Sequence, residues 1–310
     1  MDYELVVQHL NLARAHARLL PVRQWIALLP NSSLVVQVGA NDHAYAGVSG
    51  AHDPAVECIR RGWRALLIEP TPLAFERLSA RYEHHRRQGV KLLNAAICNS
   101  SGRGSAPFGG PSCRPGQTAR MYNLDTTNAT GHWGDNRSDA RCITMVPRSN
   151  FHYLLELASF DPWHVGKHSN NLIKYTPSTC EACAKLLRKT LPPNCLRYVV
   201  SWNIRPFQVP CACLNDELTA AQTVALLIVD AESYDDVVLA QFPFSRYRPH
   251  RIIFEAKHLG RARFVALSSE LRRLGYECLE LMRNASYECD PSASTSNWHH
   301  VQSREPLLLS

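Results

Sequence analysis

The stretch Leu34 to His43, LVVQVGANDH, decides the fold. Its β-branched, apolar start (Leu34, Val35, Val36, Val38) reads as a buried parallel strand. The strand runs directly into Gly39, and a glycine at a strand's carboxyl end lets the backbone come close to a ligand. A second short apolar strand, RALLIEP at Arg64 to Pro70, ends on Glu69. A carboxylate at the tip of the second strand, about 30 residues after Gly39, is where α/β nucleotide-binding folds grip ribose hydroxyls. It accepts from both hydroxyls and repels a 2′-phosphate. The pair points to a ligand built on adenosine.

The surrounding text extends the pattern. VVQVGANDH is followed by DPAVECIRRGWRALLIEPTPLAFERL and VKLLNAAI, and much later by LLIVDAESYDDVVL and RIIFEAKHL. In that order and register the chain resembles the FkbM-type family of S-adenosylmethionine-dependent, class I methyltransferases. The resemblance covers residues 33–100 and 195–283, about half the chain, and rests on five separated motifs. It implies a Rossmann-like α/β sheet with helices on both faces and S-adenosyl-L-methionine as cofactor. It assigns the amides around Gly39, Ala40 and Asn41 to the methionine end, with Gln37 and Asp42 in the same motif. Glu69, followed by Pro70, is assigned to the ribose, and Asn94 and Ala95 to the adenine. Read without the resemblance, Asn41 and Asp42 are a turn or helix-capping pair. The family has glycine where this chain has His43 and Ser233. Left-handed backbone is therefore expected at both, with the His43 side chain in the path of the methionine end.

Methyl transfer from a sulfonium is an in-line displacement in which the protein aligns the nucleophile and excludes water. A base is needed when the acceptor is a hydroxyl. Asp230 and Glu232, at the tip of the strand TVALLIVD, stand where the acceptor should lie, and the next strand tip offers Glu255 and His258. The expectation is O-methyl transfer with Asp230, Glu232 and His258 in the reaction. The competing structural role for Asp230 and Glu255 is helix capping or loop bonding. The acceptor stays open among saccharide, lipid, small-molecule and RNA hydroxyls. A catalytically inactive binding module on the same fold is the main alternative. A nicotinamide enzyme is disfavoured, because no GxGxxG follows the first strand.

The chain of 310 residues carries a net charge of +7, but its Lys and Arg residues are scattered and no basic, aromatic-interleaved motif accompanies them, which argues against a nucleic-acid partner. No apolar run is long enough to span a bilayer, and the polar start carries no secretory signal, so a cytoplasmic protein is expected. Residues 1–33 read as N-terminal helices, 34–100 and 221–283 as one core, 101–220 as an insertion forming a lid, and 284–310 as a last strand and tail. Eleven cysteines are many for such a chain. Cys180 and Cys183 have zinc-knuckle spacing, and Cys211 and Cys213, with Cys195 as a substitute, complete a structural zinc set. Buried thiols and disulfides are the other readings. Five Asn-X-Ser/Thr sequons, at Asn31, Asn99, Asn128, Asn136 and Asn284, carry meaning only if the chain is secreted.

Overall fold

A computed structural model of the chain describes residues 26–27, 29–43, 53–98, 116–124, 158–160, 162–167, 176–188, 190, 195, 204–218, 223–282 and 286–291. The helices expected before residue 26, much of the insertion with His132, Trp133 and His168, and the strand expected near Trp298 lie outside these residues. The first half alternates β1 (Leu34–Val38), α1 (Pro54–Arg60), β2 (Arg64–Ile68), α2 (Pro72–Tyr82) and β3 (Val90–Leu93). Local chemistry starts the helices. The Asp53 carboxylate accepts from the Ala55 amide at 2.8 Å, and Pro54 and Pro72 occupy first-turn positions where no amide hydrogen is required.

β3 ends at Leu93 because Asn94 turns aside. Its side-chain amide donates to the carbonyls of Glu69 at 2.8 Å and Pro70 at 3.2 Å. The chain then forms β4 (Ala96–Ile97), which belongs to a second sheet with β5 (Thr118–Leu124), β6 (Ala158–Ser159) and β7 (Ile204–Ala212), in the order β4-β7-β5-β6. Ala158–Ser159 is held as strand by pairing with Tyr122 and Asn123. Helix α3 (Pro162–Lys167) follows, and CEACAKLL lies in α4 (Thr176–Leu187) as expected. A short helix α5 (Leu214–Glu217) leads back to the core.

The core continues with β8 (Val224–Val229), α6 (Asp235–Gln241), β9 (Arg251–Glu255), α7 (Arg261–Arg273), β10 (Tyr276–Met282) and β11 (Ser286–Pro291). Gly275 follows α7 with φ of 85°, in the left-handed conformation that ends helices. The strands form one seven-stranded sheet in the order β10-β11-β9-β8-β1-β2-β3. β3, β2, β1, β8 and β9 run parallel, and β11 runs antiparallel between β9 and β10. The chain leaves β1 toward β2 on one side and returns at β8 on the other. That reversal is a topological switch point, where α/β sheets open a crevice. Both faces are covered, which is why β8, VALLIV, is buried along its whole length. Val36, Leu227 and Phe254 join one core layer, and Val35, Leu226 and Trp63 the other. The architecture is mixed α/β, and no described helix is long and apolar enough to cross a membrane.

The cysteines correct the zinc expectation. Cys98 is bonded to Cys211, Cys180 to Cys195, and Cys278 to Cys289; Cys183 and Cys213 are disulfide-bonded as well. All of Cys180, Cys183, Cys211 and Cys213 are thus consumed in S–S bonds and offer no thiolate to a metal. Cys98–Cys211 ties β4 to β7 and closes a span of 113 residues. Chain-entropy arguments assign about 4–5 kcal/mol to a closure of that length. The double substitution Cys98→Ser with Cys211→Ser is expected to lower the unfolding free energy by about that amount, read by urea denaturation of oxidised protein.

Candidate functional site

At the carboxyl ends of β1, β2 and β8 the sheet opens into a cleft, where α/β sheets bind their ligands. One wall comes from the first two strand tips, through Gly39, Asn41, Glu69, Pro70 and Thr71. The opposite wall comes from the tip of β8, through Asp230, Ala231, Glu232 and Tyr234. The second sheet contributes Met121, Ala158 and Phe160, so the described part of the insertion does reach the ligand end. The Phe160 ring packs against Tyr234 at 4.4 Å between centroids, and the Ser159 hydroxyl donates to the Glu232 carbonyl at 3.3 Å.

Gly39 sits where β1 and β8 part, with φ of 78°. A Cβ built there would lie 1.8 Å from the Asp230 carbonyl oxygen, so no other residue fits. The Asp230 amide returns a hydrogen bond to the Val38 carbonyl at 2.9 Å. The loop after Gly39 is held from the other side. The amides of Gly39 and Ala40 both donate to the Ile68 carbonyl, at 2.9 and 3.1 Å, and the Asn41 amide donates to Glu69 Oε2 at 2.8 Å. These three amides, assigned from sequence to the cofactor's methionine end, are instead engaged within the protein, because the loop needs them to close against β2. Gly39 and Asn41 still face the cleft, whereas Ala40 is packed in the core.

Glu69 is buried yet lines the cleft. Its Oε1 accepts from the Thr71 amide at 2.7 Å while Oε2 takes the Asn41 amide. Burial raises its carboxyl above the usual range, and the Thr71 and Asn41 hydrogen bonds oppose that rise. Each carboxylate oxygen has two lone-pair sites, so both oxygens can still accept a hydroxyl from the cleft. Pro70 and Ala95 also line the cleft, but Asn94 is committed to holding the Glu69 and Pro70 carbonyls.

The opposite wall is acidic. Asp230 is open to the cleft, but the protein mass around it pushes its carboxyl well above the usual range, reinforced by Glu232 and Glu255. Asp235, fully buried beneath, accepts from the Glu255 amide at 3.2 Å, and burial followed by Asp230 raises it too. His258 does not line the cleft. Its Nε2 lies 3.9 Å from Glu232 and 3.7 Å from Glu255, and the three ligand atoms stand within 4.8 Å of one another. This set suits a divalent cation, and equally suits an imidazole that steadies two carboxylates. Glu232 and Ser233 both have left-handed backbone, φ 47° and 77°, in a sharp turn pinned where Arg263 donates to the Ser233 carbonyl at 2.8 Å.

Besides Ala40, Asn94 and His258, the assigned residues Gln37 and Asp42 lie outside the cleft, and so does the ring of His43. Gln37 points into the layer beneath, where its amide donates to Asp53 at 2.8 Å. Side chains alternate along a strand, so the neighbour of a cleft-lining Val38 must face away. Asp42 is buried beside Arg77, 3.4 Å away. His43 does adopt positive φ, 55°, but its ring turns away from the cleft. Nδ1 meets the Tyr82 hydroxyl at 2.8 Å and Nε2 meets Gln37 Oε1 at 3.1 Å. It obstructs nothing. Among the cleft residues not anticipated are Thr71, Ile97, Met121, Phe160 and Tyr234. Tyr234 was readable within DAESYD, whereas Met121 and Phe160 reach the cleft only through the second sheet.

A scan against models of protein families finds no match for the chain, and neither does a search of curated proteins.

Gly39→Ala is expected to lose about 3 kcal/mol of stability, combining left-handed strain with a clash against backbone, measured by thermal and urea denaturation. His43 gives a pH test. Burial holds its pKa below 6.5 despite the pull of Asp53. Its contribution is therefore complete above pH 6.5 and is lost as pH falls toward the depressed folded value. The stability difference between wild type and His43→Gln should shrink on acidification from pH 7 to about pH 5. A constant difference would show that His43 has the same pKa in the folded and unfolded states.

Proposed function

We propose that this chain is an S-adenosylmethionine-dependent methyltransferase acting on a hydroxyl. The carrying observation is the division of the cleft: a glycine and a ribose-competent carboxylate on one side of the switch point, paired acidic groups on the other. The open, mostly parallel sheet, whose strand connections reverse between β1 and β8, supports this reading. The cofactor supplies an activated methyl group when bound. Glu69 would hold its ribose, Gly39 and Asn41 would let its methionine end pass close to the backbone, and Ala95 and Ile97 would pack on its adenine. Asp230 would take the acceptor's proton, since a carboxyl raised by burial and by Glu232 is, once ionised, a stronger base than an ordinary aspartate. Glu232 would orient the acceptor, and His258 would position Glu232. Phe160 and Tyr234 would keep water from the reacting atoms.

The alternative of a non-catalytic binding module drew on His43 and Ser233. With the His43 ring outside the cleft and left-handed backbone tolerated at both positions, neither residue favours it.

Calorimetry with S-adenosylhomocysteine is expected to give saturable binding to the wild type. Glu69→Gln should weaken it by about 2–3 kcal/mol, the value of a charge-assisted bond pair, in protein whose melting transition shows it folded. Asp230→Asn should leave that affinity nearly unchanged while single-turnover methyl transfer to a panel of saccharide, lipid and phenolic hydroxyls falls by roughly a hundredfold. Wild-type turnover should decline as pH is lowered through the raised Asp230 pKa, because the base must be ionised. No binding of either cofactor form by the wild type would refute the reading, and unchanged affinity in folded Glu69→Gln would refute the ribose assignment.

A further inference from the structure

We infer that the chain matures in an oxidising, glycosylating compartment and that Asn31 accepts an N-linked oligosaccharide. Two independent observations carry this. The first is the state of the cysteines. Of the nine described, eight are disulfide-bonded, and the ninth, Cys58, is a buried thiol in the core. The bonds are spread over the molecule: Cys98–Cys211 in the second sheet, Cys180–Cys195 at α4, and Cys278–Cys289 across the β10–β11 ladder. Disulfides in reducing compartments are usually transient and catalytic, built on closely spaced pairs. Here the closely spaced cysteines are not bonded to each other. Cys180 passes over Cys183 to reach Cys195, and Cys211 passes over Cys213 to reach Cys98. That is a structural framework, and glutathione-buffered cytosol would leave its sulfurs as thiols.

The second observation is the placement of the Asn31-Ser32-Ser33 sequon, the one of five whose asparagine is described. Asn31 is exposed in a turn closed by the Ser33 amide donating to the Pro30 carbonyl at 3.1 Å, and Pro30 and Ser32 are exposed on either side. A surface turn is what a bulky, solubilising glycan requires. The turn feeds β1 at its amino end, whereas the cleft lies at its carboxyl end. At about 3.3 Å per residue, a glycan on Asn31 stands roughly 20 Å from the cleft, at the opposite end of the strands. It would shield the strand entry without touching the reaction. This inference does not depend on the methyltransferase reading.

The test uses protein isolated from its native cells, with N-ethylmaleimide added at lysis. Peptide mapping without reduction should recover the linked pairs Cys98/Cys211, Cys180/Cys195 and Cys278/Cys289. Peptide N-glycosidase digestion in ¹⁸O-water should convert Asn31 to ¹⁸O-labelled aspartate. Maleimide on those six cysteines would overturn the compartment. An unlabelled, unmodified Asn31 peptide from protein carrying the disulfides would overturn the glycan site. As a second readout, Asn31→Gln secreted from a eukaryotic host should migrate one glycan lighter than wild type. Identical migration of the two would also refute glycosylation at Asn31.

Discussion

The backbone contact between Gly39 and Asp230 is the constraint on which the site depends. A parallel sheet can open a crevice only where two adjacent strands send their connections in opposite directions, and here those strands are β1 and β8. Their tips approach so closely that a methyl group at residue 39 would collide with the Asp230 carbonyl. The same proximity sets Asp230 across from Glu69. Positive φ at Gly39, Asn41 and His43 then folds the loop back, and the Glu69 carboxylate catches the Asn41 amide. Glu69 therefore has two duties. It holds the loop closed, and it presents the same oxygens to the cleft.

Electrostatics divides the cleft. Glu69 receives two amide hydrogens, which offset part of the cost of burying it. Asp230 faces Glu232 and Glu255, with Asp235 beneath, so its ionised form is resisted. Cationic groups near this wall are committed elsewhere in part: Arg263 is bonded to Asp236 and to the Ser233 carbonyl. An acidic wall with an adjacent histidine suits proton removal from a neutral acceptor better than binding of an anionic one.

The second sheet and the disulfides act together. β4 is only two residues long and β6 likewise, too short to hold a sheet in place by ladder bonds alone. Cys98–Cys211 fastens the β4 and β7 ends covalently, and Phe160 against Tyr234 seats β6 on the β8 loop. The insertion thereby contributes to the cleft wall through covalent as well as packing constraints.

Periodicity and punctuation in the sequence were enough for the core. The apolar runs ending on Gly39, Glu69, Asp230 and Glu255 gave four parallel strands in their places, and the prolines and Gly275 marked helix ends, because those features follow from local backbone chemistry. They also put Gly39, Glu69, Asp230 and Glu232 at strand tips, where a parallel sheet opens its cleft, while Asn41 was assigned through the family resemblance alone. Tertiary structure decided the rest. Whether Gln37 and His43 faced ligand or core depended on strand alternation and on the partners Asp53 and Tyr82 across the layer. The engagement of the loop amides depended on β2 lying alongside. The cysteine pairings depended on which sulfurs, distant in sequence, the fold carried within bonding reach, and spacing along the chain holds no record of that distance.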